Sequence, residues 1–364
     1  MEFLYQLPYA SYVAFGVAIS VSLLLVLTKS WHGKFSLDFT QGIQKFHIHP
    51  TPRVGGIAIV AGVVAAYFTS RPERQDFLGP LLMAGIPAFV FGLAEDVTKK
   101  VSVTARLLAT MLSGLLGWYI TGVSITHVDL PITDDLLRYG LISILFTAFA
   151  IGGVANAINV IDGFHGLASG MVLLGLAGVA WIAMQVGDIN LAYACVAIAA
   201  AMLGFFLVNW PLGKIFLGDG GSYFGGFALA WVAVLMVERN TQVTPFAALL
   251  ICIYPVTEVL FSIYRRRLKQ AHPGAPDKQH LHSLIMRRYV RRKVPEAWQN
   301  PVTGLVLAMM TLPAVVMAFY FQSSAQACGL TVLVLMLGYV TLYARIVRHH
   351  WCSPISFLFL KPSY

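Results

Sequence analysis

Charged residues are scarce in this chain of 364 residues. Asp, Glu, Lys and Arg make up only 11% of the sequence, whereas 58% is hydrophobic and the mean hydropathy is +0.73. A typical soluble domain carries about 25% charged residues, so a soluble globular class is excluded. Apolar runs of about 20 residues, the length that crosses a bilayer as a helix, fill most of the chain. The composition therefore predicts a multi-pass membrane protein.

Cysteine pairs, repeats and a cleavable leader are also missing. The four cysteines are far apart and form no CxxC pair, which argues against a zinc site or a disulfide framework. No internal repeat or low-complexity tract is visible, so residues 1–364 are predicted to form a single polytopic membrane domain. The first apolar run lacks a basic n-region and an obvious cleavage site, which predicts a retained span.

The apolar runs predict an all-α integral membrane fold with about eleven transmembrane helices. The predicted spans are 10–28, 54–70, 78–94, 104–122, 141–158, 165–186, 190–209, 222–237, 244–264, 302–321 and 327–347. Several are rich in Gly and Ala, which lets neighbouring helices approach closely. The polar, turn-rich segment 126–140 predicts a small external hairpin.

Lys and Arg set the predicted orientation, because cytoplasmic loops carry the positive excess. With the N-terminus outside (periplasmic) and the C-terminus in the cytoplasm, 21 of the 25 basic residues lie inside. Ten of them fall in a basic cytoplasmic loop, 265–301, and three more in the tail that follows residue 344, whose end, 348–364, is predicted to be a cytoplasmic tail. Such juxtamembrane clusters ordinarily meet anionic headgroups of the lipid bilayer. No nucleic acid partner is expected, although some of these residues could hold a phosphorylated substrate.

Five groups of polar residues stand out, and the charge count places all of them on the cytoplasmic side. They are Glu95–Asp96; Asn156, Asn159 and Asp162; Asn209 and Asp219; His280 and His282; and His47, Thr51 and Arg53. Groups from one face converge into one site more readily than they serve separate purposes. We therefore expect one active site in the cytoplasmic loops.

The residue types predict the reaction class. Carboxylates suit Mg²⁺ or Mn²⁺, and Mg²⁺ usually binds one or two carboxylates together with substrate phosphates. Arg53, Lys99 and the two histidines could compensate phosphate charge. Acids for a metal and bases for a phosphate indicate phosphoryl transfer. Taken singly, Asp162 and Asp219 could instead cap helices, and the acidic pair could be a solvated charge cluster.

At these residues the chain resembles the polyprenyl-phosphate N-acetylhexosamine-1-phosphate transferases. The resemblance runs in order from about His47 to His282, and the span count matches the eleven-helix branch. The family's acidic pair falls on Glu95 and Asp96, and the lysine that follows falls on Lys99. Its cytoplasmic histidine motif falls on His280 and His282.

The remaining motifs follow the same order. The family's NxxNxxDG motif falls on Asn156, Asn159 and Asp162, and its metal-binding aspartate falls on Asp219. The uridine-pocket asparagine and aromatic residue fall on Asn209 and Phe216. Two positions depart from the pattern, since Glu95 replaces the common Asp and His165 replaces an acid in DGFHG, which leaves the identity of the sugar open.

The resemblance implies a Mg²⁺-dependent enzyme of a bacterial inner membrane. It would transfer HexNAc-1-phosphate from a UDP-N-acetylhexosamine to undecaprenyl phosphate, release UMP and initiate a cell-surface polysaccharide. Asp219 would bind the metal, and Asp96, helped by Glu95, would orient or deprotonate the lipid phosphate or complete the metal shell. Asn156, Asn159 and Asp162 would position the nucleotide or support the metal. Arg53, Lys99, His280 and His282 would neutralise phosphates.

Other functions stay open at this point. A phospho-MurNAc-pentapeptide transferase is the nearest alternative, although QHLHS is a shorter histidine run than such enzymes carry. A transporter would place polar residues near the bilayer midplane, often in repeated halves, and neither feature is visible. A non-catalytic assembly protein would explain Glu95 and His165 but not three retained aspartates. Homodimers are known in the family, so a homodimer is one option here.

Overall fold

The computed structural model describes residues 8–38, 50–268, 270 and 279–348, and this part is almost entirely helical. His47, part of the basic loop and nearly all of the predicted tail lie outside the described residues. The helices are α1 Tyr9–Leu27, α2 Lys29–Ser36, α3 Gly55–Thr69, α4 Pro72–Thr98, α5 Val103–Thr121, α6 Pro131–Leu137, α7 Gly140–Ile161, α8 Leu167–Gln185, α9 Ile189–Asn209, α10 Gly218–Arg239, α11 Pro245–Ile251, α12 Ile253–Leu268, α13 Leu281–Ile285, α14 Arg291–Lys293, α15 Glu296–Met309, α16 Leu312–Phe321 and α17 Ala325–Arg348.

The predicted spans each correspond to helical structure. Within the described ranges, nine helices are long and apolar enough to cross a membrane, with α15 and α16 forming one of them. A tenth, α11 with α12, is bent by 78° at its break. Helix α3 has 15 apolar residues and is shorter than a full crossing. The all-α membrane fold is therefore confirmed.

Helix α10 lies at the centre of the fold, and its apolar stretch is buried throughout. It packs against α4 on one side and α7 on another, while α1, α3 and α9 form a neighbouring layer. Small residues permit this close packing. A Cβ on Gly226 would lie 2.7 Å from Ala155 Cα in α7, and one on Gly92 would lie 2.6 Å from the Asp219 carbonyl carbon.

The predicted hairpin at residues 126–140 is wrong, because this segment contains a short helix. Residues 122–130 are irregular, and the segment then forms the short helix α6. Pro131 occupies the first turn of that helix, where its missing N–H costs nothing. The Asp134 carboxylate accepts a hydrogen bond of 2.6 Å from Val128 N. Local capping of this kind favours a helical turn over paired strands.

The described residues contain one pair of strands, each of two residues. Strand β1, Leu37–Asp38, pairs antiparallel with β2, Thr51–Pro52. The segment after β2 is fastened to the entry of α10, because Phe216 N donates to Pro52 O at 2.7 Å and Gly56 N donates to Leu217 O at 3.1 Å. These bonds carry Arg53 to the first turn of α10.

Candidate active site

Asp96, at the end of α4, caps the first turn of α10. Its two carboxylate oxygens each accept a backbone hydrogen bond of 2.9 Å, one from Asp219 N and one from Gly220 N. The first amides of a helix have no partner within the helix, and the positive end of its dipole favours an acid. Asp96 is fully buried and therefore fixes α10 relative to α4.

Arg53 joins the two aspartates. Its Nε donates to Asp96 Oδ1 at 2.9 Å, its Nη2 donates to Asp219 Oδ1 at 2.8 Å, and its Nη1 lies 4.0 Å from Asp38 Oδ1. Burial disfavours the charge on Arg53, but Asp96 and Asp219 outweigh that cost and raise the pKa of its guanidinium. Arg53 therefore stays cationic at the centre of the cluster.

A second arginine, Arg106 at the start of α5, was not predicted as a site residue. Its Nη1 donates to the other carboxylate oxygen of Asp219, and its guanidinium lies 6.0 Å from the centre of the Tyr223 ring. In the sequence Arg106 resembles any basic residue near the end of a predicted span. The only available signal was its place soon after Lys99 and Lys100.

A cavity of about 260 Å³ opens beside this cluster. Of the predicted site residues, it is lined by Arg53, Asn159, Asp162, Asn209, Phe216 and Asp219. The cavity is also lined by Asp38, His165, Asn300 and the backbone at Gly218. The sequence motifs from α3, α7, α9 and α10 therefore meet at one place, as expected.

Asp162 follows the last residue of α7 and faces the cavity. Burial, followed by repulsion from Asp219, raises the pKa of this carboxyl to about 8. No hydrogen bond to its carboxylate is found among the described residues, so nothing but the nearby Arg53 favours its charged form. A cation or a polar ligand in the cavity would stabilise the ionised carboxylate.

The donor set suits Mg²⁺ better than zinc. In the described part of the chain, no group of three or more His, Cys, Asp or Glu side chains is placed to hold a metal ion. Mg²⁺ does not need such a group, because it retains waters and binds one or two carboxylates with substrate phosphates. Asp162 and Asp219 line the same cavity, and Asp162 has the unpaired carboxylate that such an ion requires. The residues present therefore fit the ion.

Asn159 and Asn209 differ in how much of their amide groups is already used. Asn159 lines the cavity and its Nδ2 donates to Ser222 Oγ at 2.9 Å, a bond that does not use its amide oxygen. Asn209 Oδ1 accepts from Gly166 N at 2.7 Å, and its Nδ2 donates to Ile215 O at 2.7 Å. Asn209 is 4% exposed, so it shapes the cavity by joining two loops.

Phe216 and His165 form an aromatic wall of the cavity. Their ring centres are 5.6 Å apart, and the His165 backbone N donates to Asn300 Oδ1 at 2.7 Å. The His165 ring lies directly over Gly213, where a Cβ would fall 2.1 Å from its Cε1 atom. Because Gly213 has φ of +58°, a glycine suits both its backbone and the ring. The residue that departs from the family pattern is therefore part of the wall.

Besides Asp96 and the two histidines, three more of the predicted site residues lie outside the cavity wall. Glu95 Oε2 accepts from Val101 N at 2.8 Å, so its carboxylate fastens the α4–α5 turn. Lys99 follows the last residue of α4 and has a left-handed backbone conformation. Its Nζ donates to Asp96 O at 2.8 Å. Asn156 lies one helical turn before Asn159 in α7 and does not line the cavity.

The two predicted histidines lie next to the cavity. Their rings stack with centres 5.2 Å apart, and the His282 ring packs edge-on against Phe164 at 5.6 Å. A Cβ built on Gly163 would lie 3.4 Å from His282 Nε2. Since Gly163 follows Asp162, the histidine segment borders the acidic cluster. Both side chains are buried, which sequence inspection did not predict.

The glycines around Asp219 allow close packing. A Cβ on Gly218 would lie 2.3 Å from Arg53 O, and one on Gly221 would lie 2.6 Å from Leu217 Cδ1. Gly218 also has φ of +73°, a conformation that favours glycine. These positions let α10 begin against the Arg53 segment.

Comparison with known proteins gives consistent matches. The family model described as Glycosyl transferase family 4 matches residues 78–237. The probable undecaprenyl-phosphate N-acetylglucosaminyl 1-phosphate transferase of Bacillus subtilis (strain 168) is 30% identical over 277 residues, 74% of this chain and 76% of that protein. The undecaprenyl-phosphate alpha-N-acetylglucosaminyl 1-phosphate transferase of Yersinia pestis is 30% identical over 70% of both chains. Its Escherichia coli (strain K12) namesake is 28% identical, over 74% of this chain and 75% of that protein.

Proposed function

This chain belongs to glycosyl transferase family 4, and on that premise we propose that it transfers HexNAc-1-phosphate from a UDP-N-acetylhexosamine to undecaprenyl phosphate. An oxygen of the lipid phosphate forms a bond to the sugar-bearing phosphorus of the donor. The bridging bond of the diphosphate breaks, and UMP leaves. The products are undecaprenyl-diphosphate-HexNAc and UMP, which we propose as the initiating step of a cell-surface polysaccharide.

The single observation that carries this proposal is the shared cavity. Arg53, Asp162 and the pair Phe216 and Asp219 line it together, although they come from three distant parts of the sequence. The cavity wall has groups suited to each part of a magnesium-bound nucleoside diphosphate. The two carboxylates can bind the cation, the guanidinium can bind phosphate oxygens, and the aromatic ring can stack on the base. Phosphoryl transfer depends mainly on positioning and charge neutralisation, which such a cavity supplies.

Arg53 and Arg106 are the proposed phosphate-binding cations. Both guanidinium groups already point at Asp219, and guanidinium groups bind phosphate oxygens through paired hydrogen bonds. Asp219, together with Asp162, would bind Mg²⁺, which supplies charge neutralisation at the donor diphosphate. Lys99, tied to Asp96 O, adds positive charge at the rim.

Asp96 has a positioning role in this proposal. Its carboxylate accepts from Arg53 and from two backbone amides and does not line the cavity. A strong base is not required, because the second pKa of a phosphate monoester is about 6 and the lipid phosphate is largely deprotonated at neutral pH. Asp96 thus orients Arg53 and the first turn of α10 for the transfer.

The nucleoside would lie against the aromatic wall. Phe216 offers a face on which uracil can stack, and stacking of a base on an aromatic ring contributes about 1–3 kcal/mol. His165 forms the adjoining part of that wall, and Asn159 lines the same cavity. These contacts would fix the donor with its diphosphate toward Asp219.

The distribution of basic residues supports a cytoplasmic location for the site. Arg53, Lys99 and Arg106 belong to the charge-rich side of the multi-pass chain, and arginine and lysine concentrate in cytoplasmic loops. A UDP-sugar is made and kept in the cytoplasm, so the donor meets the site on this side. We place the protein in a bacterial cytoplasmic membrane, with the polyprenyl tail of the acceptor in the bilayer.

The test uses purified protein in detergent with undecaprenyl phosphate, Mg²⁺ and separate UDP-sugar donors. The donors are UDP-GlcNAc, UDP-GalNAc, a UDP-deoxy-HexNAc and UDP-MurNAc-pentapeptide. UMP release and the mass of the lipid product are followed with and without EDTA. We expect product from at least one HexNAc donor, and its loss with EDTA.

Each arm has a defined meaning. Product from UDP-MurNAc-pentapeptide alone would replace the proposed substrate with the peptidoglycan precursor. Activity that persists in EDTA would contradict the magnesium role of Asp219 and Asp162. No product from any donor, in a preparation whose thermal unfolding is cooperative, would contradict the enzymatic proposal and favour an assembly protein.

A further inference from the structure

A buried carboxylate on α12, Glu258, has no part in the mechanism described above. It is 1% exposed and receives hydrogen bonds from three partners. His280 Nδ1 lies 2.9 Å from its Oε1, and the Tyr339 hydroxyl donates to its Oε2 at 2.9 Å. Leu281 N lies 3.2 Å and 3.3 Å from the two oxygens. Three parts of the chain therefore meet at one carboxylate.

These bonds connect the last helix to the boundary of the catalytic cavity. Tyr339 belongs to α17 and Glu258 to α12, whereas His280 immediately precedes α13. The His280 ring stacks on His282, and His282 lies beside Gly163, the neighbour of Asp162. A short path of contacts thus runs from α17 through Glu258 to the wall of the cavity.

The carboxylate also selects the orientation of His280. An ionised carboxylate only accepts hydrogen bonds, so His280 Nδ1 must carry a proton toward it. The opposite ring nitrogen, Nε2, then faces away from Glu258. In a histidine, the bond at one ring nitrogen determines the state of the other.

We propose that Glu258 is a positioning residue for the transfer reaction, acting through His280 to hold the His280–His282 pair against the Asp162 side of the cavity. This inference rests on the proposed function. Buried ion pairs stabilise a fold no better than apolar residues of similar size. The consequence of this network is therefore the placement of two imidazoles beside the donor phosphates.

The kinetic test compares Glu258→Gln, His280→Asn and the double variant. Glu258→Gln keeps the size of the side chain but loses its charge, and we expect turnover to fall about 10- to 100-fold, the range for partners that orient ligating groups. The KM for the UDP-sugar should change less than about threefold, because the donor does not touch Glu258. The double variant should be no slower than His280→Asn, since the two residues act as one unit. Glu258→Asp should recover part of the turnover.

Glu238→Gln is the matched control. Glu238 lies at the other end of α10, where its carboxylate accepts from Thr126 N at 2.9 Å and from the Thr126 hydroxyl at 2.7 Å. The same change of charge there should leave turnover within about twofold of wild type, as expected for substitutions away from the site. Additive losses in the Glu258–His280 double variant would overturn the proposal, because Glu258 would then act independently of His280.

A second readout does not depend on transfer. Diethyl pyrocarbonate modifies accessible imidazoles, and mass spectrometry of the peptides measures His280, His282 and, as an internal reference, His127. We expect Glu258→Gln to increase modification of His280 at least about threefold with His127 unchanged. If Glu258→Gln does not fold, Tyr339→Phe, which removes one donor, should give a smaller change in the same direction.

The two readouts distinguish a failure of the positioning role from a failure of the proposed function. Unchanged modification and unchanged turnover in Glu258→Gln would overturn the positioning role. Increased modification with no transfer by wild type would refute the proposed function, and with it a positioning role in that reaction, while the Glu258–His280 geometry would stand. Increased modification with a selective fall in turnover supports the inference.

Discussion

The two ends of α10 carry similar chemical groups in different arrangements. The helix has 22 residues, so its ends lie about 33 Å apart at 1.5 Å per residue. At the first end, Asp219 contacts Arg53 and Arg106, which come from two other parts of the chain. At the second end, Arg239 pairs with Asp188 at 2.8 Å, and the arginine side chain is 44% exposed. At the first end one acid thus joins two arginines from separate elements, whereas at the second end Arg239 pairs with a single acid.

The cavities at the two ends differ in the same way. The one beside Glu238 is larger, about 420 Å³, but is lined mainly by apolar side chains of α7, α10 and α11. The smaller one, about 260 Å³, is lined by Asp162, Asp219 and Arg53. Volume alone would direct attention to the apolar cavity. Buried charge that several elements share is the better indicator, because leaving such charge without a ligand is costly.

The largest expected difference comes from Asp219→Asn against Asp188→Asn. Loss of the Asp219 charge removes the partner of two arginines and the proposed metal ligand. Turnover should fall about 10³-fold, comparable to the loss of a principal transition-state contact. Asp188→Asn should remain within about threefold of wild type because it lies at the other end of α10 and its arginine partner is 44% exposed. Equal losses in the UMP-release assay would show that the two ends do not differ.

Arg106→Ala against Arg239→Ala should give the next largest difference. Removal of Arg106 leaves one oxygen of Asp219 without its cation, and breaking a buried pair costs about 3–5 kcal/mol. Part of that cost should appear as a loss of about 10²-fold in kcat/KM. Arg106→Lys should recover only part of it, since lysine lacks the guanidinium fork. Comparable kcat/KM for Arg106→Ala and wild type would remove Arg106 from the site.

Gly92→Ala tests whether close packing positions Asp219. An added Cβ would lie 2.6 Å from the Asp219 carbonyl oxygen, so α4 and α10 must separate. Small misplacements of reacting groups can cost about 10²-fold, and we expect turnover to fall by about 10- to 100-fold. Gly153→Ala in α7 is the control because its Cβ would meet nothing within 4 Å. Equal turnover in the two variants would contradict the packing argument.

Phe216→Ala against Phe246→Ala should give the smallest difference. Phe216 lines the charged cavity and Phe246 lines the apolar one. Loss of base stacking should raise the KM for the UDP-sugar about tenfold with kcat nearly unchanged. Phe246→Ala should leave that KM unchanged. A kcat effect without a KM effect at Phe216 would place the nucleoside elsewhere.

Local sequence signals predicted the spans and much of the cavity. Apolar length gave the positions of the helices, because a bilayer crossing imposes that length directly. Asp162, Asp219 and Phe216 were recognisable because each follows or begins a span and belongs to an ordered motif. The family match and the shared cavity are consistent with that prediction.

The unpredicted features depend on contacts between distant parts of the chain. Arg106 reaches Asp219 across 113 positions, and nothing near Arg106 in the sequence indicates that partner. Glu258 meets Tyr339 across 81 positions, a pairing that no local sequence pattern indicates. The short helix α6 in place of the predicted hairpin is accompanied by the hydrogen bond that Val128 N donates to Asp134, a contact that turn-rich composition does not determine. Sequence patterns therefore predicted many of the site residues, but not which residues contact one another.

The most direct test determines on which side of the membrane the UDP-sugar donor is used. Lys100→Cys and Arg138→Cys are made separately in a Cys352→Ser background. In sealed vesicles, an impermeant maleimide labels the introduced cysteine only if it faces the medium, and labelling therefore reports the orientation of the protein. UDP-GlcNAc, or whichever donor the purified enzyme accepts, is then added outside vesicles of each orientation. We predict lipid-linked product only where Lys100 is labelled, and none with Asp219→Asn. Equal product from vesicles in which only Arg138 is labelled would contradict the assignment of catalysis to the Asp219 end.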